Sequence, residues 1–389
     1  MKKVMLKTTL SLAVAMASSH VFASGFALNE QDVAGMGTGF AGRSSSADNA
    51  STVYGNPAGM ARLEGQQITG GVATIDASTD IKDASGRSFG SNKGDMVPFT
   101  GVPFGFYTNK LNDQWAIGFG VYAPFGLVTD YETGFQGRAF GSYSKVSVIT
   151  LQPTVSYAFN DRVSIGFGPT INRISGKLES ELALSPNPAV PNTNVTIKGD
   201  DTALRFNVGV LVQATDTTRV GLTYHSKVSY KLDGHTEVSA PAVTSPLLAT
   251  GRDDASLKID TPESYDLSVT QDLTDAWKLY GGATWTRWSR LKDITVNNKG
   301  VTAAGGGAAP QIVGTISEPQ NWHDTWAYAV GTSYQVTKQV VLRTGLTFDQ
   351  SPTNNTDRSP RIPTGDRTIF SVGLGYAVMD NMTVDLAYS

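Results

Sequence analysis

The histidines and charged residues are the side chains here that could carry chemistry, and they are few and scattered. After residue 23 the histidines are His225, His235 and His323, and the chain has no cysteine. Histidines this far apart in sequence indicate neither a metal site nor a catalytic triad. His323 precedes Asp324, but neighbours on a strand point to opposite faces, so this pair cannot act as an acid–base couple. The sequence therefore indicates a protein that is not an enzyme and needs no cofactor.

A glycine-rich run, Gly37-Thr-Gly39-Phe-Ala-Gly42, fits the GxGxxG pattern of dinucleotide-binding loops. In that fold the run follows a buried strand, and an acidic residue comes about 20 positions later. No apolar strand precedes the run in this sequence. We therefore interpret these glycines as positions of close packing.

The segments that must hold the charged side chains alternate with a period of two residues. In 148–159 and 370–378, bulky apolar residues occupy one face, and mostly Gly, Ala, Ser and Thr occupy the other. A soluble sandwich would also alternate, but its outer face would carry more lysine and glutamate. Aromatic residues near the segment ends are typical of a membrane-interface girdle. They are Trp115, Tyr157, Phe159, Trp277 and Tyr376.

The connections between these segments alternate between short and long. Short turns are expected at 110–114, 160–162, 215–218, 272–276, 336–339 and 379–381. Long connections are expected near 83–96, 124–141, 181–200, 233–255, 297–321 and 349–366. This asymmetry is typical of outer-membrane barrels, which have tight periplasmic turns and long outer loops. The pattern predicts an all-β fold, a transmembrane antiparallel β-barrel over residues 66–389.

The number of predicted strands bears on where the natural chain ends. The connections separate thirteen strands, the last at 382–389, whereas single-chain bacterial barrels have an even number. We expect fourteen strands, and we expect the natural gene to continue for roughly 20–40 residues to supply the last one.

Residues 1–23 read as a signal peptide rather than as part of the fold. Lys2, Lys3 and Lys7 precede a short apolar run, and Val21-Phe22-Ala23 fits the rule for signal-peptidase cleavage, so the mature chain is expected to begin at Ser24. The whole chain has 31 Lys and Arg against 34 Asp and Glu. Cleavage would make the balance more acidic still, which argues against nucleic acid as a partner.

Residues 24–65 do not fit the strand pattern, and we interpret them as a plug, or hatch, inside the barrel. A barrel of twelve or more strands has a lumen too wide for its own side chains to fill. Asn56 can cap a turn and Pro57 fixes its backbone dihedral, so Asn56-Pro57-Ala58 would end the plug in a rigid corner. A disordered tail is the alternative, but Phe26, Phe40 and Val53 make the segment more apolar than a tail requires.

The hatch sequence, SGFALNEQDVAGMGTGFAG…ADNASTVYGNPAGMARL, resembles the FadL/TodX family of outer-membrane transporters for hydrophobic compounds. The resemblance continues through YAPFGLVTDYETGFQGRAF, TWTRWSRLKDI, NWHDTWAYAVGTSYQV and RTGLTFDQSP…RIPTGDR. It implies a fourteen-stranded barrel with an internal hatch. It also implies passive uptake of long-chain fatty acids or similar hydrophobic molecules, without ATP hydrolysis. The expected location is the outer membrane, where a monomer would be surrounded by lipid and lipopolysaccharide.

The stretch Ala123-Pro124-Phe125-Gly126 falls where the third strand should continue its hydrogen bonding. Proline removes a donor and glycine permits a bulge, so we expect the wall to kink there. The family is similar in having a kinked third strand that forms a lateral gate. The resemblance thus assigns Pro124, Phe125 and Gly126 to such a gate, while a plain loop start is the alternative for Pro124.

Strand parity and the resemblance together suggest three substrate-binding residues. If Tyr328 faces lipid, then His323 faces the lumen, at a position where the family can carry a basic residue near the substrate carboxylate. Arg205 also faces inward by parity with Phe206. Arg173 resembles a family pocket arginine in its place on strand five, but its parity points outward unless Pro169 shifts the strand. Each could instead be a charge held at the hatch or rim.

Two questions about function stay open at this point. An aromatic hydrocarbon channel of the same fold is the alternative to a fatty acid channel, because fatty acids carry a carboxylate and aromatic hydrocarbons do not. A general porin and a barrel enzyme are more distant alternatives. A porin would have a charged constriction loop and no hatch.

Overall fold

The structure is a computed structural model that describes residues 25–79, 81, 90–185, 187, 189–244, 247–299 and 314–389. The expected signal peptide at residues 1–23 lies outside the described residues. Within them, seventeen strands form one antiparallel sheet. The first six strands are β1 (Gln66–Ile75), β2 (Thr100–Lys110), β3 (Trp115–Asp130), β4 (Tyr143–Ala158), β5 (Val163–Leu182) and β6 (Thr193–Gln213).

The next eight strands form four pairs, each divided by a break. Three of the breaks fall within strands that the sequence predicts as continuous, whereas β13 lies in the predicted long connection 297–321. The pairs are β7 (Thr218–His225) with β8 (Val228–Ser239), β9 (Gly251–Thr261) with β10 (Ser264–Asp272), β11 (Trp277–Thr286) with β12 (Asp293–Lys299), and β13 (Thr315–Pro319) with β14 (Thr325–Gln335). The sheet ends with β15 (Val340–Asp349), β16 (Arg367–Met379) and β17 (Met382–Tyr388).

The interruptions divide this part of the wall into two tiers. The lower tier, at the end with the short turns, is β7–β10–β11–β14. The upper tier, at the end with the long connections, is β8–β9–β12–β13. β6 pairs with both tiers, through β7 and through β8. Across the described residues, no ladder joins β17 to β1, and the expected fourteenth strand stays a prediction.

The side chains alternate along the strands as the sequence predicts. Ile149, Leu267 and Phe370 are about half exposed on the outer face. Their neighbours Thr150, Ser268 and Ser371 are buried on the inner face. An apolar outer face with small or polar residues inside is the arrangement that suits a wall placed in lipid. No helix in the described ranges is long and apolar enough to cross a membrane.

The N-terminal segment, residues 25–65, lies against the inner face of the sheet. It contains two short helices, α1 (Val33–Gly37) and α2 (Thr52–Gly55), and the 3₁₀ helix η1 (Pro57–Arg62). Its main-chain and side-chain groups bond to widely separated strands. Gln31 Nε2 donates to Ala123 O of β3 at 2.6 Å, Ser44 N donates to Ser268 Oγ of β10 at 2.9 Å, and Thr347 Oγ1 of β15 donates to Gly39 O at 2.7 Å. The sheet therefore curves around this segment.

Glycines of the wall make room for the N-terminal segment. A Cβ placed on Gly166 of β5 would overlap the main chain of Pro57, and one on Gly209 of β6 would overlap the Asn56 side chain. A Cβ on Gly345 of β15 would overlap the main chain at Thr38. These glycines of the inner face are thus the places where the N-terminal segment lies closest to the wall.

Candidate functional site

The upper tier and the long strands β3 to β6 beside it enclose an apolar cavity with an empty volume of about 720 Å³. Its walls come from the inner faces of β3, β4, β5, β6, β8, β9 and β12. Aliphatic side chains from these strands line it, among them Leu127, Val146, Ile174, Leu232, Ile259 and Ile294. These residues also belong to, or pack against, the largest buried hydrophobic cluster among the described residues. The cavity can therefore hold a molecule with little polar surface.

A second cavity, here called the polar chamber, has an empty volume of about 1000 Å³ and a mixed lining. Charged and polar side chains of the N-terminal segment and of the wall meet there. They include Glu30, Arg43, Arg205, His225, Asp266 and Asp349. Pro124 and Phe125 of β3 also line this chamber. It thus lies beside the segment that the sequence assigns to the gate.

Four aromatic rings, Phe26, Phe125, Trp288 and Trp322, form a cluster at the boundary of the two cavities. The ring centroids are 5.5 Å apart for Phe26 and Phe125, 5.1 Å for Phe26 and Trp288, and 5.0 Å for the two tryptophans. Phe26 lines the apolar cavity, whereas its neighbour Ala27 and Phe125 line the polar chamber. The aromatic cluster therefore separates the two compartments.

The interruptions of the wall place the two tryptophans in this cluster. Trp288 lies on the 3₁₀ helix η2 (Trp288–Arg290) between β11 and β12. Glu263, at the interruption between β9 and β10, forms ion pairs with Arg287 and Arg290 on either side of Trp288. These pairs hold the turn that carries the indole inward. A continuous strand with strict alternation would have no turn at this position to carry Trp288 inward.

The third strand has a bulge at the place where the sequence predicts a kink. Tyr122 pairs with Thr150 and Phe125 with Val148, so Ala123 and Pro124 face a single residue of β4. This two-against-one arrangement is a β-bulge, which bends the strand.

The bulge also marks where β3 leaves β2. Described pairs of β2 with β3 end at Gly105 and Val121, whereas β1 stays paired with β2 as far as Thr100. On the inner side, the main chain of the N-terminal segment bonds to the bulge. Leu28 N donates to Pro124 O, and Gly126 N donates to Phe26 O, each at 2.9 Å.

Arg205 faces inward, as parity predicts. Its side chain is only 9% exposed and lines the polar chamber. Within the described ranges it has no ion-pair partner, and its Nε lacks a hydrogen-bond acceptor. His225, in the same chamber, has a buried Nδ1 without a partner. A buried charge without a counterion is costly, so Arg205 is the group of this chamber that would gain most from an anionic partner, although the Glu30, Asp266 and Asp349 carboxylates line the same chamber.

The structure places the other two predicted binding residues outside both cavities. His323 was expected to face the lumen, but it is exposed, and Trp322 is the buried side chain of this segment. The reason is the break between β13 and β14, where Asn321 takes a positive φ of 44° and strict alternation is lost. Arg173 lies on the outer face and pairs with Asp200 at 3.0 Å, because β5 stays in register with β4 on both sides of Pro169.

The Asn56-Pro57-Ala58 corner forms as the sequence predicts. Asn56 Oδ1 accepts from Ala58 N at 3.0 Å and caps η1, with Pro57 in its first turn. Asn56 Nδ2 donates to Ser44 O at 2.7 Å and to Val210 O of β6 at 3.0 Å. One side chain thus joins the corner, the N-terminal segment and the wall.

Alternation along the sequence does not predict that Trp288 and Trp322 are inner residues. A signal was present, because Trp288 stands among Arg287, Ser289 and Arg290, a run too polar for a lipid-facing strand. Through the described parts of the chain, no group of three metal-ligating side chains is close enough to hold an ion.

Comparison with known proteins agrees with this architecture. A family model for outer membrane protein transport proteins (OMPP1/FadL/TodX) matches residues 14–389. A long-chain fatty acid transport protein of Escherichia coli is 26% identical over 100% of this chain and 91% of its own length. A putative outer membrane protein of Neisseria meningitidis is 32% identical over 98% of this chain and 89% of its own length.

Solved structures resemble the fold as well. The crystal structure of a Pseudomonas aeruginosa FadL homologue is 28% identical, with a TM-score of 0.76 over 93% of this chain and 90% of that one. The Pseudomonas putida toluene transporter TodX is 19% identical, with a TM-score of 0.67 over 93% and 92% of the two chains. At this identity the second likeness concerns the fold alone.

Proposed function

The chain belongs to the OMPP1/FadL/TodX family of outer-membrane transport proteins, and on that basis we propose that it is a passive channel for hydrophobic molecules. The molecule enters the apolar cavity, passes the aromatic cluster and leaves sideways through the wall beside the β3 bulge. No chemical step and no energy source is part of this scheme. The channel works as a monomer within outer-membrane lipid and lipopolysaccharide.

The apolar cavity supports the first half of this proposal. A hydrophobic molecule gains no transfer free energy in a water-filled pore. Its transfer from water into an apolar cavity is favourable by about 0.8 kcal/mol for each buried methylene. The same stabilisation would oppose release into the aqueous periplasm. An exit from the lumen directly into the membrane avoids that loss.

The observation that carries the proposal is the separation of β2 and β3 at the bulge. Residues 100–104 of β2 and 122–126 of β3 do not pair with each other within the described ladders. Pro124 and Phe125 line the polar chamber on the inner side of this gap. A molecule in the chamber therefore lies next to a part of the wall that strand pairing does not close.

The N-terminal segment acts as the hatch in this scheme. It bonds to β3, β10 and β15 at the level of the polar chamber and meets the wall at glycines. Its main chain also bonds to the inner side of the bulge through Leu28 N and Phe26 O. The hatch would thus seal the lumen toward the periplasm while bordering the lateral gate.

Arg205 is the residue that would bind an acidic headgroup. A fatty acid could place its alkyl chain in the apolar cavity and its carboxylate in the polar chamber, so that each part of the molecule meets a lining of matching polarity. The E. coli relative is a fatty acid transporter by name, and the P. putida neighbour is a toluene transporter. Among the described residues the Arg205 guanidinium has no ion-pair partner. This favours the acid for this chain, because a hydrocarbon offers the guanidinium no partner.

The lateral exit is tested by straightening β3. Replacing Pro124 and Gly126 with valine should restore regular pairing and narrow the gap, so oleate uptake by cells should fall at least tenfold. Binding of oleate to the purified protein should persist, because the exit acts after capture. The matched control is Pro153→Val, a proline substitution in the part of β4 that lies opposite regular β3. Unchanged uptake in the double variant would refute the lateral exit.

A further inference from the structure

The outer end of the apolar cavity is covered by the connection between β15 and β16. We name residues 351–366 the cover segment. Its two ends are held together, since Ser351 N donates to Asp366 Oδ1 at 2.8 Å and the hydroxyls of Ser351 and Thr364 are 3.0 Å apart. Arg361 and Ile362, at its centre, line the apolar cavity. Both side chains are almost fully buried, so the cover segment closes the cavity rather than lying over it loosely.

One flank of the cover segment is attached to the region between β13 and β14. His323 N donates to Pro352 O at 3.0 Å, and Asn321 Nδ2 donates to Asp357 Oδ2 at 3.0 Å. β13 pairs only with β12 in the described ladders, so the cover segment takes the place of a further strand there. This flank is suited to act as the fixed side of a movement.

The opposite flank rests mainly on Arg361. Its guanidinium donates to Glu318 Oε1 of β13 at 2.7 Å, to Ser180 Oγ of β5 at 2.8 Å, and to the Glu179 carbonyl at 3.2 Å. The Ser144 hydroxyl of β4 lies 3.4 Å from the same group. One side chain thus ties the cover segment to three strands on two sides of the cavity. Tyr131, which donates to Pro360 O at 2.7 Å, adds one further bond.

We propose that Arg361 is the positioning residue that holds the outer entrance of the apolar cavity closed, and that substrates pass when this side chain releases β4 and β5. The proposal rests on the proposed function for its transport consequence. Its structural part concerns access to the cavity and stands independently. The bonds of Arg361 to the wall are hydrogen bonds at the water-facing end, which break and re-form without unfolding any strand.

A reversible lock tests the movement. A Cβ placed on Gly141 would lie 2.9 Å from Arg361 Cγ. The two Cβ atoms of Gly141→Cys and Arg361→Cys would therefore be about 4 Å apart, within the range of disulfides. The 389-residue sequence has no cysteine, so within it no other pairing competes. We expect the oxidised double variant to take up oleate at least tenfold more slowly than its reduced form. Equal uptake by the two forms would overturn the proposal.

A labelling experiment keeps the test independent of transport. Ile174, which lines the cavity and is 1% exposed, is replaced by cysteine, and its reaction with a small maleimide is timed in purified protein. Adding Arg361→Ala should speed labelling at least tenfold. Arg358→Ala is the matched control, because Arg358 is exposed on the same cover segment. Equal labelling with both alanine variants would refute the role of Arg361. Absence of uptake by the wild-type protein would refute the proposed function instead.

Discussion

Arg205 is the clearest single-residue feature of this lumen, because it is a buried cation without a described counterion. We expect Arg205→Gln to weaken binding of oleate roughly tenfold to a hundredfold, the range for losing a charge-assisted hydrogen bond. Binding of toluene should not change, since a hydrocarbon makes no such bond. Equilibrium binding of both ligands to purified protein measures the difference.

The control for Arg205 is a second arginine on the outer face. Arg173→Gln removes the same charge from a side chain that is paired with Asp200 and turned away from the lumen. It should bind oleate as the wild type does. If both variants lose oleate binding equally, general electrostatic attraction rather than a site explains the loss.

Strand parity alone predicts correctly that Arg205 faces inward, but it fails to predict the orientation of His323. The reason is local. Arg205 lies on β6, which runs without interruption from Thr193 to Gln213, so alternation carries over its whole length. His323 lies in a break between two strands, where a positive φ at Asn321 resets the faces. Sequence alternation predicts orientation only as far as the strand continues. His323 precedes β14, which begins at Thr325, so the alternation of that strand does not extend to it.

The close contact between the wall and the N-terminal segment depends on glycines of the wall, which carry no side chain. Gly166→Val should displace the Asn56-Pro57-Ala58 corner, because the new side chain would overlap the main chain of Pro57 and main chain cannot rotate away. We expect the N-terminal segment to become sensitive to limited proteolysis while the wall stays intact.

The matched control for this change is Gly105→Val on β2. A Cβ at Gly105 meets nothing within 4 Å, so valine there should leave the N-terminal segment protected. Equal protection in both variants would mean that the corner is not held by close approach to β5.

The elements themselves were largely predictable, and their interruptions were not. The two-residue period, the short turns and the bulge at Pro124 all follow from residue types with known backbone preferences. The breaks that bring Trp288 and Trp322 against Phe26, which is far away in sequence, do not follow from local residue types. Such contacts exist only once the sheet has curved.

For the whole molecule, the wall and the hatch should be separable. The wall strands bond to one another, so deleting residues 25–60 should leave a folded sheet that resists heat and detergent as the full chain does. The lumen should then leak small polar solutes, measured as swelling of proteoliposomes in sugar solutions, and selective oleate uptake should be lost.

Two results would contradict this view of the molecule. Proteoliposomes that stay sealed after the deletion would show that the wall or its loops, and not the N-terminal segment, form the barrier. A deletion protein that never folds would show that the wall needs the segment as a template.

The division of the wall into two tiers separates two evolutionary tasks. The hatch bonds to the lower tier, through Thr223 of β7 and Asp266 of β10, whereas the apolar cavity takes its lining from β8, β9 and β12 of the upper tier. Substitutions in the upper tier can therefore change the lining of the apolar cavity without altering the hydrogen bonds that Thr223 and Asp266 make to the N-terminal segment. Under the proposed function, a lineage built in this way can come to accept new nutrients while selection on its permeability barrier stays unchanged.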